Sequence, residues 1–252
     1  MKQATAIAFL AAQMIAPAMW GQGAAPLRVL ASNGVRGAIS ALQPQVERAV
    51  GKPLNIEWGS SAALKRKIEA GEAFDLALLT PETTSDLMKS GKIAAGTAAD
   101  LARTGVGFGI REGAPKPDVS TPQAVKQTLL KAKSISIVKE GASRATIDKM
   151  FATLGVADAV ASKTKLEAGT ERAGESVATG QSELEIVPLS EVGLVKGVQI
   201  AGALPGDLQN YLRFQASVGA NAKDAATAKK AIQFLTSPAA APTFKAKGME
   251  TH

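Results

Sequence analysis

Apolar residues recur along the chain at the period of a strand and then at the period of a helix, and this alternation repeats. Leu27–Leu30 reads as a strand and Ala31-Ser32-Asn33-Gly34 as the turn after it. Val35, Ile39, Leu42, Val46 and Val50 then recur at helical spacing up to Gly51. Pro44 falls inside that helix and is expected to kink or break it, because proline lacks the N–H that helix bonding needs. Leu54, Ile56 and Trp58 mark a second strand that stops at Gly59; after Ser60 and Ser61 a second helix carries Ala63, Leu64 and Ile68 on one face. Phe74–Leu79 is a third strand, broken only by Asp75. The first 80 residues thus predict β-α-β-α-β, a parallel sheet covered by helices. Such sheets place ligands at the carboxyl ends of their strands, where Ser32-Asn33, Ser60-Ser61 and Thr80 all fall.

The pattern continues with a helix from Pro81-Glu82 to Gly91 and a glycine-laced strand, Val106–Ile110, that suits a crossover. Its Gly105-x-Gly107-x-Gly109 is followed by Pro115 and Pro117 and not by a helix, so it is no dinucleotide fingerprint. A second β/α series follows: helix 122–131, strand Ser134–Val138, loop Lys139–Ser143, helix 144–154, strand Lys165–Glu167, helix 170–179 and strand Leu184–Val187. Val198–Ile200, a Gly202–Pro205 turn, a polar strand Asn210–Ser217 and helices 223–236 and 238–247 close the chain. The simplest assembly is two α/β lobes: 24–107 in the first, 108–208 in the second, and 209–252 returning to the first.

The N-terminus is of another kind. Lys2 is its only early charge, an apolar run spans Ala4 to Met19, and small residues at Ala16 and Ala18 or Gly21 and Gly23 offer a cleavage site. Residues 1–23 therefore read as a secretory signal, cleaved to leave a periplasmic protein. No cysteine occurs, which excludes disulfides, thiol chemistry and lipid attachment at a signal cysteine. The net charge of +7, or +6 without Lys2, is carried by lysines interleaved with acids. With one Tyr, two Trp and seven Phe there is no basic stripe with aromatics, so nucleic acid is not the expected partner.

Catalytic constellations are scarce. The one histidine is His252, so metal-ligand spacing, Ser-His-Asp and Cys-His arrangements are missing, and no cofactor or metal is expected. Glu183 and Glu185, two apart on a short strand, read as a solvated face. What stands out is the turn at Ser60-Ser61. The first N–H groups of a helix lack internal partners and carry the positive end of its dipole, and small residues let an anion approach them.

Several stretches resemble the periplasmic molybdate-binding family of ABC-importer solute receptors. They are Val29–Gly34, Trp58-Gly59-Ser60-Ser61-Ala62-Ala63-Leu64, Ile68-Glu69-Ala70-Gly71-x-x-x-Asp75-Leu76-Ala77, Val177-Ala178-Thr179-Gly180, Gly197–Pro205 and Phe234-Leu235-Thr236-Ser237-Pro238-x-Ala240. The resemblance spans about 27 to 249 and implies a type II periplasmic-binding fold. Each lobe would be a mainly parallel sheet flanked by helices, with the ligand in a cleft between the lobes. It also implies a monomer that binds a small anion, delivers it to a membrane permease and catalyses no reaction. The family's neutral donors carry over to Ser60 or Ser61; to Ser32, Asn33 or Gly34 after the first strand; and to Ser143-Arg144 and the neighbourhood of Thr170 in the second lobe. Where the family has a tyrosine donor, this chain reads Ile186-Val187-Pro188-Leu189. Arg36 and Arg144, each at a helix start, suit planar carboxylates. The alternatives to a molybdate-like oxyanion are therefore a small organic carboxylate held by Arg36 and Arg144, or a signalling or enzymatic use of the fold.

Overall fold

The computed structural model describes residues 25–251, and the predicted signal, residues 1–23, lies outside them. Strand β1 (Leu27–Ser32) passes through a single 3-10 turn, Asn33–Val35, into helix α1 (Arg36–Val50). Strand β2 (Leu54–Gly59), helix α2 (Ser61–Glu69), strand β3 (Leu76–Leu79), helix α3 (Pro81–Lys89) and strand β4 (Ala99–Thr104) follow. One residue later the chain starts strand β5 (Val106–Arg111) in a second sheet. That sheet also takes β6 (Ile135–Val138), β7 (Thr164–Glu167), β8 (Leu184–Pro188) and β9 (Val198–Ala203). Helices α4 (Pro122–Lys131), α5 (Arg144–Leu154), α6 (Ala157–Ala161) and α7 (Thr170–Ala178) connect them. The chain returns through β10 (Leu212–Val218), α8 (Ala225–Leu235), α9 (Ala241–Ala246) and β11 (Met249–Glu250).

The first sheet has the order β11-β4-β10-β3-β1-β2 and the second β7-β6-β8-β5-β9. The two-lobed α/β expectation holds, but both sheets are mixed where mainly parallel ones were expected. The β-α-β strands are parallel in each lobe. The strands that carry the chain between lobes, β5 and β10, run against them, because a direct crossover enters the next sheet from the opposite end.

Both faces of the first sheet are covered, as the run of apolar residues in its strands requires. Val29 and Ala31 pack with Ile39, Leu42 and Val46 of α1 and with Leu235 and Phe244, while Leu30 points the other way onto Leu64, Ile68 and Leu87. The second lobe has its own core around Phe108, Ile137, Ile147 and Met150.

Helix α1 runs unbroken across Pro44, against the expectation of a kink or break. Pro44 and Ser40, whose carbonyl loses its partner, lie on the exposed face, which leaves that group open to solvent while Leu42 and Val46 hold the buried face. The supposed turn at Gly202–Pro205 is strand through Ala203. Gly202 is there for close packing: a side chain on it would press within 2.5 Å of Val119. Strand β4 carries only Leu101 and Ala102 into the core, too weak an apolar signal to read beforehand.

Asp75 explains one of the recognised motifs structurally. Its buried carboxylate accepts the Arg28 N–H at 3.0 Å and the Asp224 N–H at 3.1 Å, tying β1 to the start of α8. The crossover is stitched by Gln209, whose side chain accepts from Val106 N at 2.7 Å and donates to the Val106 carbonyl at 3.0 Å and the Leu204 carbonyl at 3.1 Å.

Candidate functional site

The carboxyl ends of β1, β2 and β3 face those of β6, β7 and β8 across a cavity of about 400 Å³. Ser32, Asn33, Gly34, Ser60, Ser61 and Thr80 line it from the first lobe. Gly141, Ala142, Gly169, Thr170 and Glu191 line it from the second. A second cavity of about 340 Å³ adjoins it, sharing Asn33, Gly169, Thr170 and Glu191 and adding Arg36. The two adjoin along these shared residues: the first is lined by hydroxyls, glycines and the carboxylates Glu140 and Glu191, and the second carries Arg36 and Arg172.

Ser60 is the N-cap of α2, its hydroxyl oxygen accepting the Ala63 N–H at 3.2 Å. Ser61 is buried, and its hydroxyl oxygen accepts the Thr80 N–H at 3.2 Å. A hydroxyl that accepts from the backbone keeps its own proton to donate. Both serines can therefore point O–H groups into the cavity. Ser32, also buried, precedes the turn into α1 and caps no N–H, so this end of the helix stays open to a ligand. Gly34 is required by close approach: a Cβ there would lie 2.3 Å from the ring of Phe214, which lines the floor.

In the second lobe α7 begins at Thr170 after Gly169, which has no side chain to cap it. The first N–H groups of α7 are thus bare at the cleft. The Thr170 hydroxyl donates to Oε2 of Glu191, a half-buried carboxyl three residues beyond β8. Burial pushes the Glu191 carboxyl above its ordinary range, and the Thr170 bond only partly offsets this.

Of the sequence-derived candidates, Ser32, Asn33, Gly34, Ser60, Ser61 and Thr170 come together in the main cavity, and Arg36 lies in the adjoining one. Arg36 pairs with Glu171 at 3.1 Å and stands 5.9 Å from the Trp58 ring centroid. Ser143 and Arg144 are not among the lining residues of either cavity. Ser143 is buried, and the Arg144 guanidinium turns back to Asp148 at 2.9 Å within its own helix. The loop ahead of them, Glu140-Gly141-Ala142, lines the cavity in their place.

Sequence reasoning passed over Glu191, Phe214 and the role of Glu185. Glu191 is the lone acid in the stretch Ile186–Val195, and that isolation was its one signal. Glu185, expected on a solvated face, is 1% exposed. It points inward beneath Gly109 and Gly174, and its Oε2 has no partner. Burial raises its carboxyl to about 8, with the nearby Glu191 charge a lesser cause. Glu183, just outside β8, instead accepts the Lys133 N–H at 2.8 Å.

A larger cavity, about 670 Å³, lies at the far end of the second lobe beside Pro115, Ala124 and Leu184. Its charged rim mixes Arg111 and Lys131 with Asp118 and Glu183, and it is lined by the carboxyl end of β5 and the amino end of β8. It lacks the convergent bare N–H groups of the cleft.

Comparison with known proteins places these features. The family described as bacterial extracellular solute-binding protein matches residues 27–250. An aconitate isomerase of a Pseudomonas species is 28% identical over 240 residues, 93% of this chain and 91% of the relative. A molybdate-binding protein of Azotobacter vinelandii is 29% identical over 231 residues, 89% of this chain and 90% of that one. In three dimensions a periplasmic molybdate-binding protein of Azotobacter vinelandii superposes with a TM-score of 0.72 at 19% identity, covering 90% of this chain and 99% of its own. The fold is therefore the type II periplasmic-binding fold.

Proposed function

Because the chain belongs to the bacterial extracellular solute-binding proteins, we propose that it is a secreted, periplasmic receptor that captures a small anion between its lobes and passes it to the permease of an ABC importer. The observation that supports this reading is the convergence of the 3-10 turn ahead of α1 and the starts of α2 and α7 on one cavity that no lysine or arginine lines. Bare N–H groups and hydroxyls at helix starts favour negative charge without a formally charged side chain. Each such contact contributes only ~0.3–1 kcal/mol when exposed and up to ~2 when partly buried. Micromolar affinity, about −8 kcal/mol, therefore needs several at once, and closure of the two lobes brings them together.

Among small anions, the joined cavities favour an organic carboxylate with more than one acidic group. One carboxylate fits the Ser60-Ser61 end, and a second reaches Arg36, whose planar guanidinium matches a carboxylate bidentately. The combined space suits an organic ligand. The relative named for aconitate supports the same class. A tetrahedral oxyanion is the second reading, supported by the molybdate-binding relative and by the neutral donors of the main cavity.

A thermal-shift panel tests this. Aconitate, citrate and succinate are set beside molybdate, tungstate, sulfate and phosphate. A ligand at about 100 times its Kd adds ~2.7 kcal/mol and raises Tm by several degrees. A rise with tricarboxylates is the expected result. A rise with molybdate and tungstate alone would replace it with the second reading, and no rise with any anion would overturn the receptor assignment.

A further inference from the structure

The cavity of about 670 Å³ at the far end of the second lobe takes no part in the cleft, and the two share no lining residue. Much of its lining is apolar. Ile110 near the end of β5 and Leu184 at the start of β8 are both buried, and Pro115, Pro117 and Ala124 join them from the β5–α4 connection and the first turn of α4. Ser182, also on the lining, is 2% exposed, and its hydroxyl has no hydrogen-bond partner among the described residues.

The four charges on the rim are not equivalent. Asp118 is held in its own turn, accepting the Ser120 N–H at 2.9 Å and the Ser120 hydroxyl at 2.7 Å. Glu183 accepts the Lys133 N–H at 2.8 Å. The two cations are free of such bonds. Lys131 stands in the last turn of α4, where a lysine often holds the final carbonyls. Here the Lys163 ammonium already takes those of Leu130 and Ala132, at 2.8 and 2.7 Å. Arg111 lies against Gly180, where a Cβ would stand 3.2 Å from its Nη2. Among the described residues neither cation pairs with a carboxylate, and both are exposed. Two open sets of donors therefore edge an apolar hollow whose acids already have partners.

We propose that this cavity is a second ligand site, one that takes an organic anion with an apolar body, such as an aryl carboxylate or sulfonate. The acidic group meets Arg111 and Lys131 at the rim, and the body covers Ile110, Pro115 and Leu184. The volume lies within the ~300–1,000 Å³ of cavities that enclose small organic ligands, far more than an inorganic oxyanion fills. Guanidinium and ammonium groups bind an acidic group through charge-assisted hydrogen bonds, and covering the apolar floor releases water from it. The net charge of +7 favours an anion over a cation of the same shape. The chain thus carries two anion sites of different selectivity, a polar one between the lobes and an amphipathic one within the second lobe.

The test titrates the purified protein with anilinonaphthalene sulfonate, an apolar aromatic body bearing one sulfonate, read by fluorescence and by calorimetry. One equivalent should bind saturably. Ala124→Trp, which fills the hollow, should abolish that binding. Arg111→Gln combined with Lys131→Gln changes only exposed side chains, so Tm should hold while affinity falls at least tenfold. Excess aconitate or molybdate should leave the bound probe in place. The site is overturned if no saturable binding is seen, or if either variant binds as tightly as the wild type. It is equally overturned if aconitate or molybdate displaces the probe, which would put the probe in the cleft. Naphthylmethylamine, a cation with a similar ring, should bind at least tenfold more weakly; equal binding would overturn the choice of an anion.

Discussion

Arg36, at the start of α1 in the first lobe, pairs with Glu171, at the start of α7 in the second, with 3.1 Å between Nη1 and Oε1. Both side chains are solvent-accessible, so the pair itself contributes less than about 1 kcal/mol to holding the lobes together. Its interest lies in exchange: a ligand carboxylate can take the place of Glu171 on the guanidinium.

Arg36→Ala should therefore weaken tricarboxylate binding at least tenfold, since a charge-assisted hydrogen bond contributes ~1.5–3 kcal/mol. Molybdate affinity should change by less than about fivefold, the worth of an exposed pair. Glu171→Gln should tighten tricarboxylate binding by removing the competitor. Calorimetric titration reads all three, and the fluorescence of Trp58, beside Arg36, offers an independent signal.

Ser61→Ala removes a cleft donor and also leaves the Thr80 N–H without its partner. Affinity for the ligand should fall more than tenfold, with a stability loss of about 1 kcal/mol. Unchanged affinity would move the anion away from this end of the cleft.

Gly34→Ala drives a methyl into Phe214, whose ring lies under the cleft. Overpacking of this kind costs ~1–3 kcal/mol, so Tm should drop by several degrees. Pairing it with Phe214→Leu should recover part of the loss.

Stability should fall as pH rises from about 5 to about 8. Glu185 keeps its proton in the folded state up to about 8, whereas the unfolded chain releases it near the ordinary value of 4.5. Below the unfolded value both states are protonated and the contribution is intact. Between the two values only the unfolded state ionises, which pulls the equilibrium toward it by an amount on the order of a few kcal/mol. Glu191 is shifted in the same direction. Asp224, lowered to about 2 chiefly by its bond with Lys52, acts only in strong acid and leaves this window undisturbed. Glu185→Gln should flatten the Tm profile between pH 5.5 and 8.5, as thermal melts across that range will read.

Where backbone periodicity carries the information, the chain was legible. The β-α-β-α-β opening, helices 122–131 and 144–154 and the serines after β2 follow from apolar spacing and from helix-start chemistry. Glu191 and Phe214 escaped because little local marks them: Phe214 gains its role by packing under Gly34, and Glu191 by its bond with Thr170 at the start of α7. Glu185 misled for a related reason. Alternation along a strand separates its two faces but does not say which face is wet, and here α7 covers the one that holds the acid. Pro44 misled because its cost depends on whether water can reach the freed carbonyl, which the fold decides.

The Gln209 clamp has a consequence for how this architecture can be cut and joined. Val106 opens the second lobe, and its N–H and carbonyl are both bonded to the side chain of Gln209, the residue at which the chain leaves that lobe. Entry and exit are thus neighbours, and residues 106–209 form an insertion threaded into a parent domain at one seam. Segments whose ends meet are the ones that tolerate excision and transplantation. A short turn joining Gly105 to Asn210 should close the parent domain, and the excised piece, with its own sheet and core, becomes a cassette for grafting one binding half onto a foreign partner.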